Sequence, residues 1–131
     1  MLQNKPLSTR LRPWLEAEIR GIFEERGEGP SAGLRRIVQE WWAHNRFPSV
    51  EFRDGPFGRR PAVRGGPEIW EIIAVSRDYS GDKEGLREHF QWLDEEVLEE
   101  ALGYYERFPE ETDQLIADND RFARYAAVPA G

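Results

Sequence analysis

Apolar and polar positions alternate first with a period of two. Leu7, Thr9 and Leu11 interleave with Ser8, Arg10 and Arg12, which predicts a short, half-buried strand. Pro13 then suits the first position of a helix, where its missing N–H costs nothing. Leu15, Ile19, Ile22 and Phe23 fall at i, i+4, i+7 and i+8, one helical face, and Gly27 is placed to end that helix in a left-handed conformation. After the tight restart Glu28-Gly29-Pro30-Ser31, the residues Leu34, Ile37, Val38 and Trp41 repeat at i, i+3, i+4 and i+7. They predict a second amphipathic helix to about Ala43.

From His44 to Gly66 the pattern changes. Val50-Glu51-Phe52 and Pro61-Ala62-Val63 flank the turn-rich Asp54-Gly55-Pro56-Phe57-Gly58, which predicts a small hairpin or a paired arm joining two units. Beyond it the spacing predicts helices over Glu68 to about Tyr79, broken by Ser80-Gly81, over Asp82 to Phe90, and from an Asp94 N-cap to Arg107. Pro109 stops the last of these. A final helix starts near Thr112 and carries Leu115, Ile116, Phe122 and Tyr125 before a weakly patterned tail, Ala126 to Gly131. The aromatic set Trp70, Phe90, Trp92, Tyr104, Tyr105 and Phe108 reads as the core of this back half. The expected fold is mainly α in three parts: a strand-helix-helix unit over 1–44, a hairpin or arm junction over 45–66, and a helical partner-binding domain over 67–131.

Composition narrows the function classes. The 131 residues suffice for one ordinary domain or two very small ones. With no cysteine, disulfide scaffolds, thiol nucleophiles and thiolate metal sites are excluded. No run approaches the roughly 18 to 20 apolar residues of a membrane span. The opening MLQNKPLSTRLRPW lacks the apolar stretch of a secretory signal, so the expected compartment is the cytoplasm. The charge is uneven: residues 1–50 carry a net +2 and residues 51–131 a net −9. The acidic half is a poor surface for DNA or anionic membrane, and the front half remains eligible. Arg outnumbers Lys sixteen to two, from a GC-rich genome or from a use of planar, bidentate contacts.

Catalytic chemistry finds little support. His44 and His89 are the only histidines, each without a neighbour at metal-ligand spacing. There is no nucleophile elbow, Walker loop or dinucleotide fingerprint. Neither an enzymatic activity nor a cofactor or metal is expected.

A strand-helix-helix unit of about 40 residues and no cysteine cannot bury enough surface alone, and pairing is the expected remedy. An edge strand can pair antiparallel with its own copy about a two-fold axis. Leu7, Thr9 and Leu11 then face a shared helical core, and Ser8, Arg10 and Arg12 point outward from a two-stranded ribbon that fits the DNA major groove. There an arginine holding a guanine edge discriminates by about 1–3 kcal/mol. The simpler alternative is that Arg10 and Arg12 solvate an exposed strand or pair with Glu16.

The run STRLRPWLEAEIRGIFEERGEGPSAGLRRIVQEW resembles the ribbon-helix-helix family of DNA-binding domains over about residues 6–43. The resemblance implies base reading by Ser8, Arg10 and Arg12, and a phosphate held at the start of the second helix by Gly29 and Ser31. Gly33 inside that helix, at a cost of up to about 1 kcal/mol against Ala, and Pro6 near the strand are departures from its pattern.

The back half resembles a second family. Gly58-Arg59-Arg60-Pro61, Arg64-Gly65, Ala101-Leu102 with Tyr104-Tyr105, and Glu110-Glu111-Thr112-Asp113 occur in the order of domain-of-unknown-function family 433, whose members are small helix-turn-helix-like domains. Gly66-Pro67-Glu68 replaces that family's Thr-Arg-Ile. Members are often antitoxins, so the resemblance implies the antitoxin of a type II toxin–antitoxin pair, which neutralises a PIN-like ribonuclease toxin and represses its own operon. The acidic helix after Asp94 would repel phosphates and suits a partner surface or a second copy instead; it also reads simply as a solvated face. Charge complementarity nominates Arg121 and Arg124, in the segment from Glu110 to Ala127, for the carboxylate-rich site of the ribonuclease. Expected partners are operator DNA, the toxin and a second copy or higher oligomer, with no membrane. Two alternatives stand: a dimeric transcriptional regulator without a toxin, and an interaction module that never touches DNA.

Overall fold

The computed structural model describes residues 5–127. Among them are six helices and one two-stranded antiparallel sheet: α1 (Pro13–Arg26), α2 (Pro30–Arg46), β1 (Val50–Gly55), β2 (Gly58–Val63), α3 (Ile69–Asp78), α4 (Lys83–His89), α5 (Glu95–Arg107) and α6 (Pro109–Ala127). The chain divides into two compact units after Gln39. Helix α2 contributes its residues through Gln39 to the first and those from Glu40 to the second.

In the first unit, α1 begins at Pro13 and ends where Gly27 takes φ 70°. That left-handed turn lets the Gly27 and Glu28 amides donate to the Glu24 and Phe23 carbonyls at 3.1 and 2.8 Å. The turn brings α2 back against α1, and among the described residues of this unit Phe23 is the one buried side chain. A Cβ on Gly33 would stand 2.4–2.6 Å from the Phe23 ring. Gly33 is therefore what allows the ring to lie flat on α2, and its low helix propensity is outweighed by that contact.

The expected strand at 7–12 is not formed: residues 5–12 are irregular and exposed. A strand is held by hydrogen bonds to a neighbouring strand, and the single chain offers none there. Helix α2 runs three residues beyond the expected Ala43.

The second unit has its own core. Val50 and Val63 from the hairpin pack with Ile69, Ile72 and Ile73 of α3, Leu86 of α4, Leu98, Ala101 and Tyr104 of α5, and Ile116 of α6. The hairpin, paired Val50↔Val63 through Gly55↔Gly58, is thus a wall of this core rather than a separate junction. Tyr104 is completely buried, with the Phe52 and Phe108 rings 6.0 and 5.1 Å away and Trp42 and Phe47 completing the cluster. Of the aromatic residues expected in the core, Trp92 lies instead in the turn before α5 and is largely exposed.

Two starts differ from expectation. Asp94 occupies the N-cap position of α5 without capping it, whereas the Asp82 carboxylate accepts from the Glu84 amide at 3.2 Å and caps α4. Helix α6 begins at Pro109, a residue favoured in the first turn, so Thr112 lies inside the helix and is buried. The part of the expected tail after Ala127 lies outside the described residues.

Arginine forks fix the hairpin. Arg53 donates to the Val63 and Gly66 carbonyls at 2.7 and 2.9 Å and to Glu51. Arg59 grips Glu40 with Nε and Nη2 at 2.6 and 2.7 Å. That carboxylate strengthens the hold of Arg59 on its proton.

Gly33→Ala should destabilise the first unit in spite of its better helix propensity, because overpacking costs about 1–3 kcal/mol against a propensity gain of about 1 kcal/mol. Faster amide hydrogen exchange in α1 and the first half of α2, with α3 to α6 unchanged, would register it.

Candidate nucleic-acid and partner interface

The candidate site in the first unit is built from an exposed N-terminal segment, the start of α2 and an apolar surface. Ser8 and Arg10 lie in the irregular segment, and Arg12 is the last residue before α1. The Arg12 carbonyl accepts the Glu16 amide at 2.9 Å, the first bond of the helix. Any strand formed by this segment must end there. All three side chains are exposed. Glu16 pairs with Arg20 at 3.4 Å, so it is not the partner of Arg10 or Arg12, and neither arginine makes an ion pair among the described residues.

At the start of α2 the Gly29 carbonyl accepts the Gly33 amide at 2.9 Å. Pro30 has no N–H, and the Ser31 and Ala32 amides have no acceptor within the helix. The positive end of the helix dipole and these amides favour an anion. Glu28, next in the chain, would oppose that, but its charge is engaged. Arg36 grips both carboxylate oxygens at 2.7 and 3.0 Å and Arg26 donates at 2.9 Å. The Arg36 hydrogen bonds hold the Glu28 carboxyl below the ordinary glutamate range, and the three side chains together carry net +1. This cluster was not legible from helical spacing, because it joins residues eight apart across a turn.

The apolar surface is the other half of the site. Leu34, Ile37 and Val38 of α2 are 49%, 38% and 61% exposed, and Trp14 and Ile22 of α1 are 60% and 49% exposed. The helical periodicity that predicted a buried face is present, but in the single chain that face meets solvent.

Arg121 and Arg124 belong to the second unit, apart from the residues above. Both are exposed on the last turns of α6, and Arg121 pairs with Asp118 at 2.7 Å. Among the described residues no group of three or more His, Asp or Glu side chains is arranged to hold a metal ion, and no helix is long and apolar enough to cross a membrane. No family model, characterised protein or solved structure matches the chain.

The Glu28 carboxylate gives the first unit a signed pH dependence. Its lowered pKa contributes stability that is fully present above the ordinary glutamate value of about 4.5 and is lost as the pH falls through the depressed folded-state value. The hydrogen-exchange protection of α1, taken relative to the intrinsic exchange rate at each pH, should fall in that window for the wild type. Glu28→Gln should start with lower protection at neutral pH and lose less of it on acidification.

Proposed function

We propose that the chain is a dimeric, DNA-binding antitoxin that represses its own operon and neutralises a PIN-like ribonuclease. The observation that carries the DNA-binding half of this reading is the outward apolar face of a unit with one buried side chain among its described residues. A second copy laid on Leu34, Ile37 and Val38 completes the core, and the same two-fold axis brings two copies of residues 7–12 side by side. Their backbones then pair with each other, Leu7 and Leu11 turn inward, and Ser8, Arg10 and Arg12 form a cationic ribbon on the outside. The Gly29 and Ser31 end of α2 receives a backbone phosphate. The antitoxin half rests on the order of the sequence motifs Gly58-Arg59-Arg60-Pro61, Arg64-Gly65, Ala101-Leu102 with Tyr104-Tyr105 and Glu110-Glu111-Thr112-Asp113 alone, which no family model matches, with Arg121 and Arg124 offering guanidinium groups to an acidic catalytic site.

Fluorescence anisotropy on DNA from upstream of the chain's own gene tests the first half. Arg10→Ala should weaken selective binding by about 5- to 150-fold, the equivalent of about 1–3 kcal/mol, and raised salt should weaken the wild type steeply. Val38→Asp should abolish dimerisation in sedimentation and DNA binding together. Selective binding that survives both substitutions would sink the ribbon.

For the second half, the ribonuclease encoded beside the chain is assayed with purified wild type and with the double variant Arg121→Ala, Arg124→Ala. Cleavage should return with the double variant. Inhibition unchanged by it would remove these arginines from the toxin contact.

A further inference from the structure

We infer that the second unit stabilises the front half of α2, which carries the exposed apolar face, as a continuation of helical turns locked in the second core. The helix is unbroken over Pro30–Arg46, yet its two ends are held very unequally. Ala43 is completely buried in the second core. Trp42 meets the Phe47 and Phe108 rings edge-on at 5.7 and 5.9 Å, and the Arg107 guanidinium lies 5.8 Å from the centre of its ring. Arg59 grips Glu40 with two nitrogens at 2.6 and 2.7 Å. Just past the helix, the Phe47 ring lies so close to α5 that a Cβ on Gly103 would stand 2.7 Å from it.

The stretch from 30 to 39 is held more lightly. Gly33 is its one buried residue, against the Phe23 ring, and Arg36 forks onto Glu28 in the preceding turn. Isolated helices shorter than about 12–15 residues are marginal in water, because starting one is disfavoured by a factor of about a thousand whereas extending one is not. Gly33 weakens this stretch further. Extension from Glu40 needs no new start. In one continuous helix the carbonyls of 36–39 accept from the amides of 40–43, and those amides belong to turns that the second core already fixes. The face of Leu34, Ile37 and Val38 is helical on that account. Any molecule that tightens the second unit around residues 40–47 therefore raises the fraction of chains in which this face is formed. The coupling does not rest on the proposed DNA binding and is read without DNA, so each can fail without the other.

Native-state hydrogen exchange of the full-length chain tests it, at a dilution where halving the concentration leaves the rates unchanged. Gly-Gly and Ala-Ala are each inserted between Gln39 and Glu40. In both chains the amides of 34–39 keep their helical acceptors at 30–35, but two glycines weaken propagation roughly 10- to 30-fold relative to two alanines. Ala-Ala also turns the front half by about 200° about the helix axis, which removes any side-chain contact that depends on register. Protection of 34–39 should survive Ala-Ala and fall by that factor with Gly-Gly, while α3 to α6 keep theirs in both. Arg59→Ala should lower protection of 34–39 several-fold in the uninterrupted chain and leave it unchanged behind Gly-Gly. Arg77→Ala, which cuts an ion pair between α3 and α6, should leave 34–39 unchanged in either chain. Equal protection in the two insertion chains would overturn the proposal: equally high, the first unit holds its own helix; equally low, side-chain contacts carry the coupling. Were Arg59→Ala to unfold α3 to α6, protection retained at 34–39 would overturn it as well.

Discussion

The flat packing of the Phe23 ring on Gly33 is the contact on which the first unit depends, and its loneliness is the constraint from which the rest follows. One buried phenylalanine is worth about 1.5–3 kcal/mol, which is of the order needed to order one or two residues of backbone. Two helices and an N-terminal segment cannot be held by that. The unit compensates locally with the Gly27 turn and with Glu28 clamped between Arg26 and Arg36, which fix how the two helices meet. They do not dispose of the apolar surface.

The second unit solves the same problem internally. Its sheet has only two strands, too few to stand alone, but one end of the hairpin feeds Val50 and Val63 into a core otherwise made of helices. Tyr104 sits where hairpin and helices converge, ringed by other aromatic residues at edge-on or tilted angles. The acidic excess stays on the outside, where Glu95, Glu96 and Glu99 of α5 face solvent. That division gives the chain one body with a core of its own and one whose apolar residues are largely exposed.

Periodicity made α1, α3, α4 and α5 legible to within a residue or two, because each has a punctuated end: Pro13 and Gly27, Ser80-Gly81, Asp82, Pro109. It misplaced the start of α6 because Pro109 ends one helix and opens the next, and a proline reads first as a stop. Trp92 was misjudged because an aromatic residue in a turn carries no period. The segment Leu7–Arg12 shows the deeper limit. Its alternation describes a strand, but alternation fixes which faces differ, while the hydrogen-bond partner must come from elsewhere. Among the candidate site residues, Ser8, Arg10 and Arg12 were nominated by the alternation, and Gly29 and Ser31 by the resemblance to ribbon-helix-helix domains alone. The Arg26–Glu28–Arg36 cluster was not, since its geometry exists only once the turn is closed.

The arginine excess, which composition alone left between genome bias and chemistry, acquires a partial answer. Arg36, Arg53 and Arg59 each use the planar fork, reaching two carboxylate oxygens or two backbone carbonyls and a carboxylate at once. A lysine ammonium is a single point charge and cannot span such pairs. At these three positions, drift toward lysine is closed to the lineage whatever its nucleotide composition. At Arg20, Arg87 and Arg121, each in a single exposed ion pair, an exchange for lysine costs the fold little. A related sequence from an AT-rich genome should therefore keep its arginines in a recognisable constellation: the inter-helix turn and the two strands of the hairpin.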